Sequence, residues 1–149
     1  MRDKLFAFCL ALAAIVLLSR VGNAADFTID IGEASPGRLI VVGLACKGTG
    51  ATSVSSNGAS LKREVTTESA GETLDLWSGV IPTGSGEQTF SIAGCIEPEP
   101  TFWRLDDLKS TAPVRTVTGE AAKNISEPGC CTVTLNRGDG KPSAVAVYR

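Results

Sequence analysis

The chain has no histidine, one tyrosine, one methionine and two tryptophans among its 149 residues. Without histidine, neither a Ser-His-Asp nor a Cys-His nucleophile can be assembled, and the commonest metal-binding side chain is missing. No Cys-x-x-Cys spacing occurs, so the usual grammar of zinc sites and thiol redox motifs is absent too. Lys and Arg total 14 against 16 Asp and Glu, with no basic cluster, so a polyanion finds no electrostatic footprint. No nucleic-acid partner, cofactor, metal site or catalytic residue is expected. Amphipathic helical periodicity is also lacking, which removes helix-rich fold classes.

One long apolar run exists, at the N-terminus. Arg2 and Lys4 precede it, residues 5–18 form it, and the polar stretch Ser19-Arg20-Val21-Gly22-Asn23 leads to Ala24-Ala25. This three-part order predicts a secretory signal over residues 1–24, with Gly22 and Ala24 as the small residues before the cut. The run falls short of the about 20 apolar residues a membrane-spanning helix needs. Cys9 follows Ala7-Phe8 and lacks the setting of a lipoprotein cysteine. Cleavage removes Arg2, Lys4 and Arg20 against Asp3, moving the net charge from −2 to −4. The remaining chain, residues 25–149, has the size of one domain, holds no membrane span, and is expected to be secreted or periplasmic.

In an oxidising compartment the four remaining cysteines, Cys46, Cys95, Cys130 and Cys131, read as disulfides. Four cysteines allow three connectivities. A bridge between the adjacent Cys130 and Cys131 is strained, so the expected pairings join Cys46 and Cys95 to that vicinal pair. Each such loop spans tens of residues, worth about 3–5 kcal/mol in the chain-entropy treatment.

The dominant period in residues 25–149 is two, the mark of strands. Phe27, Ile29 and Ile31 alternate with Thr28 and Asp30; after Ser35-Pro36-Gly37 comes the apolar run 38–46, which should place Ile40, Val42, Leu44 and Cys46 on one face. Asn57-Gly58 signals a two-residue hairpin joining a strand near 53–55 to one over 61–67, with Leu61, Arg63 and Val65 on one face. Ser69-Ala70-Gly71 turns into the alternation of Leu74, Leu76, Ser78 and Val80. Further strands are expected over 89–93, 101–105, 114–118, 131–135 and 143–148, with a turn or short helix at 106–110 and a non-strand stretch around 120–125. The whole predicts an all-β fold: a disulfide-stapled β-sandwich or jelly roll of eight to nine short antiparallel strands.

The succession Phe27-Thr-Ile-Asp-Ile-Gly32, Arg38-Leu-Ile-Val-Val42, Ser53-Val-Ser-Ser-Asn-Gly58, Leu76-Trp77 and Val80-Ile-Pro-Thr-Gly84 resembles a group of uncharacterised bacterial and phage-associated β-sandwich proteins. Trp103-Arg104-Leu105, Leu108 and the apolar end at 145–147 extend the likeness over most of the domain. The resemblance implies a sandwich fold and a surface or tail-associated setting, with no catalytic residues to carry over. A signal peptide and four cysteines depart from that group and weigh against a virion-internal role.

Few side chains stand out as sites. Trp77 is out of phase with the apolar face of its strand and is flanked by Asp75, an arrangement suited to stacking on a sugar ring or anchoring a protein partner. Burial of both faces of that strand is the plainer fate of a tryptophan. Trp103 shares a face with Leu105 and reads first as core. Glu97, Glu99, Asp106 and Asp107 surround Trp103, and two such carboxylates at a controlled separation could serve a glycan-cleaving hydrolase or hold calcium. A solvated loop stiffened by Pro98 and Pro100 is the simpler reading. Arg137-Gly138-Asp139 matches an integrin-binding tripeptide but is what a β-turn requires. Asn124-Ile125-Ser126 is a glycosylation sequon. The expected function is a non-catalytic binding or structural module with a glycan or protein partner.

Overall fold

The computed structural model describes residues 8–12, 19–21, 24–119, 130–136 and 143–149. Among them run thirteen strands and no helix longer than a single 3-10 residue. In chain order they are β1 (Phe8–Leu12), β2 (Ser19–Val21), β3 (Ala24–Asp30), β4 (Leu39–Lys47) and β5 (Ser53–Ser56). Next come β6 (Ala59–Ser60), β7 (Lys62–Ser69), β8 (Glu72–Val80), β9 (Glu87–Ala93) and β10 (Ile96–Asp106). Then β11 (Arg115–Thr118), β12 (Cys131–Asn136) and β13 (Ser143–Tyr148) complete the set. All pairings are antiparallel and form a central sheet β1-β10-β4-β8-β7, a second sheet β2-β3-β9-β5-β6, and a third sheet β11-β13-β12.

The central strand β4 explains the layering. Its sequence is apolar at almost every position, so both faces must be covered. Ile40, Val42, Leu44 and Cys46 point into a core shared with Phe27, Ile29, Val54, Phe90 and Ile92 of the second sheet. Leu39 and Val41 point the other way, into a core shared with Cys131, Val133, Leu135, Ala144, Ala146 and Tyr148 of the third sheet. Burying each large aliphatic or aromatic side chain contributes about 1.5–3 kcal/mol, which offsets the cost of ordering the backbone of a third sheet. Phe90 and Phe102 meet across the first core with ring centroids 5.1 Å apart at 55°. On the far side of the third sheet, Val145 and Val147 are fully buried beside Val117 and Cys130.

The all-β, disulfide-stapled expectation holds, and the four residues assigned to one face of β4 lie together as expected. Several details differ. The strand count exceeds eight to nine because β1, β2 and the two-residue β6 add to it, and the expected strands near 114–118, 131–135 and 143–148 form a third sheet over the outer face of β4 and β8. Asn57 and Gly58 do make the tight turn, with φ of 50° and 76°, but the strand they return is β6. Leu61 then leaves the second sheet, and the chain enters the central one as β7. A bulge between Arg63 and Val65 breaks the expected shared face, setting Arg63 opposite Trp77 and Val65 opposite Leu76. Residues 107–110 are irregular, and β10 begins at Ile96, ahead of the expected start at Thr101.

The disulfide connectivity also differs from expectation. Cys46 bonds to Cys95, with Cα atoms 5.2 Å apart, so neither is joined to Cys130 or Cys131. Layering is the reason. Cys46 ends β4 on the face of the first core, whereas Cys131 lies in the second core, behind the central sheet. The bond ties β4 to the corner where the chain passes from β9 in the second sheet to β10 in the central one. Residues 1–7, 13–18, 22–23, 120–129 and 137–142 lie outside the described residues, and with them the expected cleavage motif at Gly22, the non-strand stretch, the sequon and the Arg-Gly-Asp tripeptide. Among the described residues no helix is long and apolar enough to cross a membrane.

Candidate functional site

Trp77 and Asp75 do not form a surface platform. Trp77 is 5% exposed and Asp75 is fully buried, because the second sheet covers the face of β8 that the sequence suggested was polar. What looked like the polar face of the strand is an internal polar network. Asp75 Oδ2 accepts the Ala51 amide N–H at 3.0 Å, and Oδ1 faces Arg63 Nε at 3.8 Å. Arg63 donates through Nη2 to the Ala51 carbonyl and lies over the Trp77 ring, 4.8 Å from its centroid. A Cβ at position 50 would collide with the Asp75 carboxylate, so Gly50 is fixed by this buried acid. The bulge in β7 is what aims Arg63 into the network. These five residues lock the loop after β4 onto β8, a structural role.

Trp103 is half-buried in the second core. It lies flat across β4 because Gly43 has no side chain: a Cβ there would stand 2.8 Å from Trp103 Cζ3. All three residues singled out for ligand contact are therefore committed to packing.

The four acidic residues separate into two pairs. Glu97 and Glu99 sit at the start of β10 and Asp106 ends it. An extended strand carries Asp106 about 23 Å beyond Glu99, at about 3.3 Å per residue. A glycosidase pair needs about 5–9.5 Å, so no acid and base are matched across Trp103. Asp106 is engaged locally, bridged by Arg104 Nε at 2.6 Å and Nη2 at 3.1 Å. Asp107 is exposed, with φ of 57°.

The other pair borders a concavity among the described residues. A groove of about 300 Å³ runs beside the disulfide, lined by Cys46, Lys47, Gly71, Glu72, Glu97 and Glu99. A second hollow of about 350 Å³ adjoins it across the β7–β8 turn, where Thr49, Glu68 and Ser69 take over the lining. Lys47 Nζ and Glu97 Oε2 stand 3.6 Å apart, both largely exposed. Glu97 holds its place with φ of 49°, an uncommon value for a residue with a long side chain. Its carboxylates can accept hydrogen bonds from hydroxyl or ammonium groups, and the Lys47 ammonium can donate.

The most ordered polar feature was not among the candidates. Arg38 is fully buried and donates to five backbone carbonyls: Nε to Ile81 at 2.8 Å, Nη1 to Gly32 and Glu33 at 2.8 and 2.7 Å, and Nη2 to Thr83 and Gly84 at 3.0 and 2.7 Å. Every guanidinium N–H is thus used. Burial pushes its pKa below the ordinary value; the positive charge of Arg104 adds to this and Asp106 opposes it. The guanidinium pins the β3–β4 loop to the β8–β9 loop and so closes one end of the first core. The sequence held one signal for it, an arginine heading the most apolar strand in the chain.

Compared with protein-family models, curated proteins and solved structures, the chain matches none of them.

Proposed function

We propose that the chain is an exported, non-catalytic β module that serves as a binding or structural component at the cell surface or in the periplasm. The observation that carries the reading is the Cys46–Cys95 bond, since disulfides persist in oxidising compartments and are rare in the cytosol. The signal-like order of residues 1–24 supports the same address. Recognition of a glycan or protein partner is assigned to the acidic groove beside that bond, where Glu72, Glu97 and Glu99 meet Lys47 on a scaffold held by the disulfide. The separation of Glu97 and Glu99 from Asp106 and Asp107 leaves no acid–base pair across Trp103, so a hydrolase reading would rest on Glu97 and Glu99 alone. A phage-tail role draws on the sequence resemblance alone.

Expression of the full chain in a secreting bacterial host tests the address. The expected product is extracytoplasmic, begins at Ala25 by intact mass, and carries the Cys46–Cys95 bond. A cytoplasmic product with both thiols reduced would overturn export. A glycan array and a pull-down from the same compartment test recognition, with Glu97→Gln/Glu99→Gln expected to weaken whatever binds by about tenfold, the value of one or two charge-assisted hydrogen bonds. No ligand and no partner in either assay would sink the binding role.

A further inference from the structure

Along one side, β10 is paired by β4 over most of its length; along the other, among the described residues, it is paired only by the five residues of β1. That short pairing is antiparallel and unbroken, from Phe8 opposite Asp106 to Leu12 opposite Phe102. It starts beyond Pro98 and Pro100, which have no N–H to offer a ladder, and beyond the irregularity between Ile96 and Glu99. The first half of the edge is therefore blunted by proline and a bulge, and the second half is not.

Charge does not protect the second half either. Arg104 and Asp106 neutralise each other at 2.6 Å, and Arg104 is further held by the carbonyls of Ile31 and Glu33. Phe102 and Leu105 are fully buried and Trp103 is half-buried, so the flanking surface is apolar on both faces of the sheet. The segment seated there, Phe-Cys-Leu-Ala-Leu, lies inside the residues expected to be cleaved on export. Its loss would leave five residues of ladder-forming backbone unpaired beside apolar side chains, the combination that accepts an added strand.

Resting on the export reading, we propose that the Phe102–Asp106 edge is a strand-accepting site, which takes an extended apolar segment of a partner protein antiparallel to β10. The register of β1 gives the segment its pattern: small residues opposite Trp103 and Leu105, where Ala11 and Cys9 stand, and larger apolar residues between them. Backbone pairing supplies the affinity and this alternation the selectivity.

The probe is a synthetic peptide of residues 6–14 with Cys9→Ser and flanking lysines for solubility, alongside the same peptide carrying Leu10→Pro. Each is offered to three proteins: the exported chain as recovered, with its N-terminus read by mass; the wild-type full chain; and the full chain with Leu10→Pro, which frees the edge in cis. The expected result is saturable binding by the processed chain and by the Leu10→Pro full chain, with slowed amide exchange over Phe102–Asp106, and no binding by the wild-type full chain. The proline peptide should bind at least about tenfold more weakly, from the loss of a ladder hydrogen bond and its register. Equal binding of both peptides, or none by either freed protein, overturns the site. So does an exported chain that is a dimer with these amides already protected, because the edge then pairs with a second copy. An exported chain that retains residues 1–24 overturns cleavage alone, and the Leu10→Pro full chain still decides the edge.

Discussion

Arg38 and Arg104 donate to the same acceptor, the Glu33 carbonyl oxygen, at 2.7 and 3.0 Å, from one end of the central sheet, where Arg38 immediately precedes β4 and Arg104 of β10 pairs with Ile40. Between them they take up the carbonyls of Ile31, Gly32 and Glu33, and Asp30 Oδ1 accepts the Gly32 N–H at 2.8 Å. The turn leaving β3 is thereby held from both sides. Asp106 balances Arg104 directly, while the hydrogen bonds of the Arg38 guanidinium go to backbone carbonyls alone.

Replacing Arg38 should expose that dependence. Arg38→Met removes five hydrogen bonds and leaves their carbonyls poorly paired, with an expected loss of about 3–5 kcal/mol. Arg38→Lys should recover less than half of this, since an ammonium offers three donors and no planar fork. Urea midpoints at constant m-value measure both. A loss below about 1 kcal/mol for either variant would show the carbonyls to be satisfied by other means.

Gly50 and Asp75 should behave as one unit. Gly50→Ala pushes a methyl group into the buried carboxylate and is expected to cost about 1–3 kcal/mol. In the background of Asp75→Ala the same change should cost far less, giving a coupling of about 0.5–3 kcal/mol in a double-mutant cycle. Strict additivity would refute the contact.

The disulfide closes a loop with a sequence separation of 49 residues, for which chain entropy gives about 4 kcal/mol. Cys46→Ser/Cys95→Ser should lower the unfolding free energy by about that amount. Peptide mapping without reduction should recover a fragment joining Cys46 to Cys95. A fragment linking either of them to Cys130 or Cys131 would contradict the fold, since it would have to cross the central sheet.

Tyr148, the single tyrosine, is fully buried, and burial pushes its phenol up to about 12, reinforced by the negative charge of Glu64 and opposed by Ser78. The folded value lies above that of the unfolded chain, near 10, so stability is fully present below pH 10. It falls as pH rises toward 12, by about 2–3 kcal/mol for this group. Tyrosinate absorbance reports one residue, so its titration should shift from about 12 in the folded protein to about 10 in urea. Equal midpoints in the two states would place Tyr148 in solvent.

Much of the fold was legible in the residues. The alternation in β3, β9 and β12, the uninterrupted apolar run of β4 and the paired positive φ values at Asn57-Gly58 and Ala70-Gly71 are local, and local sterics and the period of two decide them. The candidate site was less legible. For Trp77 the sequence left exposure and burial open, with burial the plainer reading, because strand phase tells which residues share a face and not whether a sheet covers it; the structure buries it. Glu97, Glu99, Asp106 and Asp107 looked like a cluster because a strand hidden behind two prolines was read as a loop. Arg38 passed as an ordinary charged residue because its five acceptors lie in loops tens of residues apart or across a turn.

By itself, then, the sequence determined the strand-forming character of the chain, its hairpins, its lack of histidine-based catalysis and the signal-like form of its first residues. These depend on side-chain periodicity, turn sterics and composition, which act over a few residues. Only the tertiary structure decided that three sheets enclose two cores, that Cys46 pairs with Cys95, and that Asp75 and Trp77 are internal. Those follow from the burial of both faces of β4 and β8, and which distant segments supply that cover is settled only by packing the whole chain.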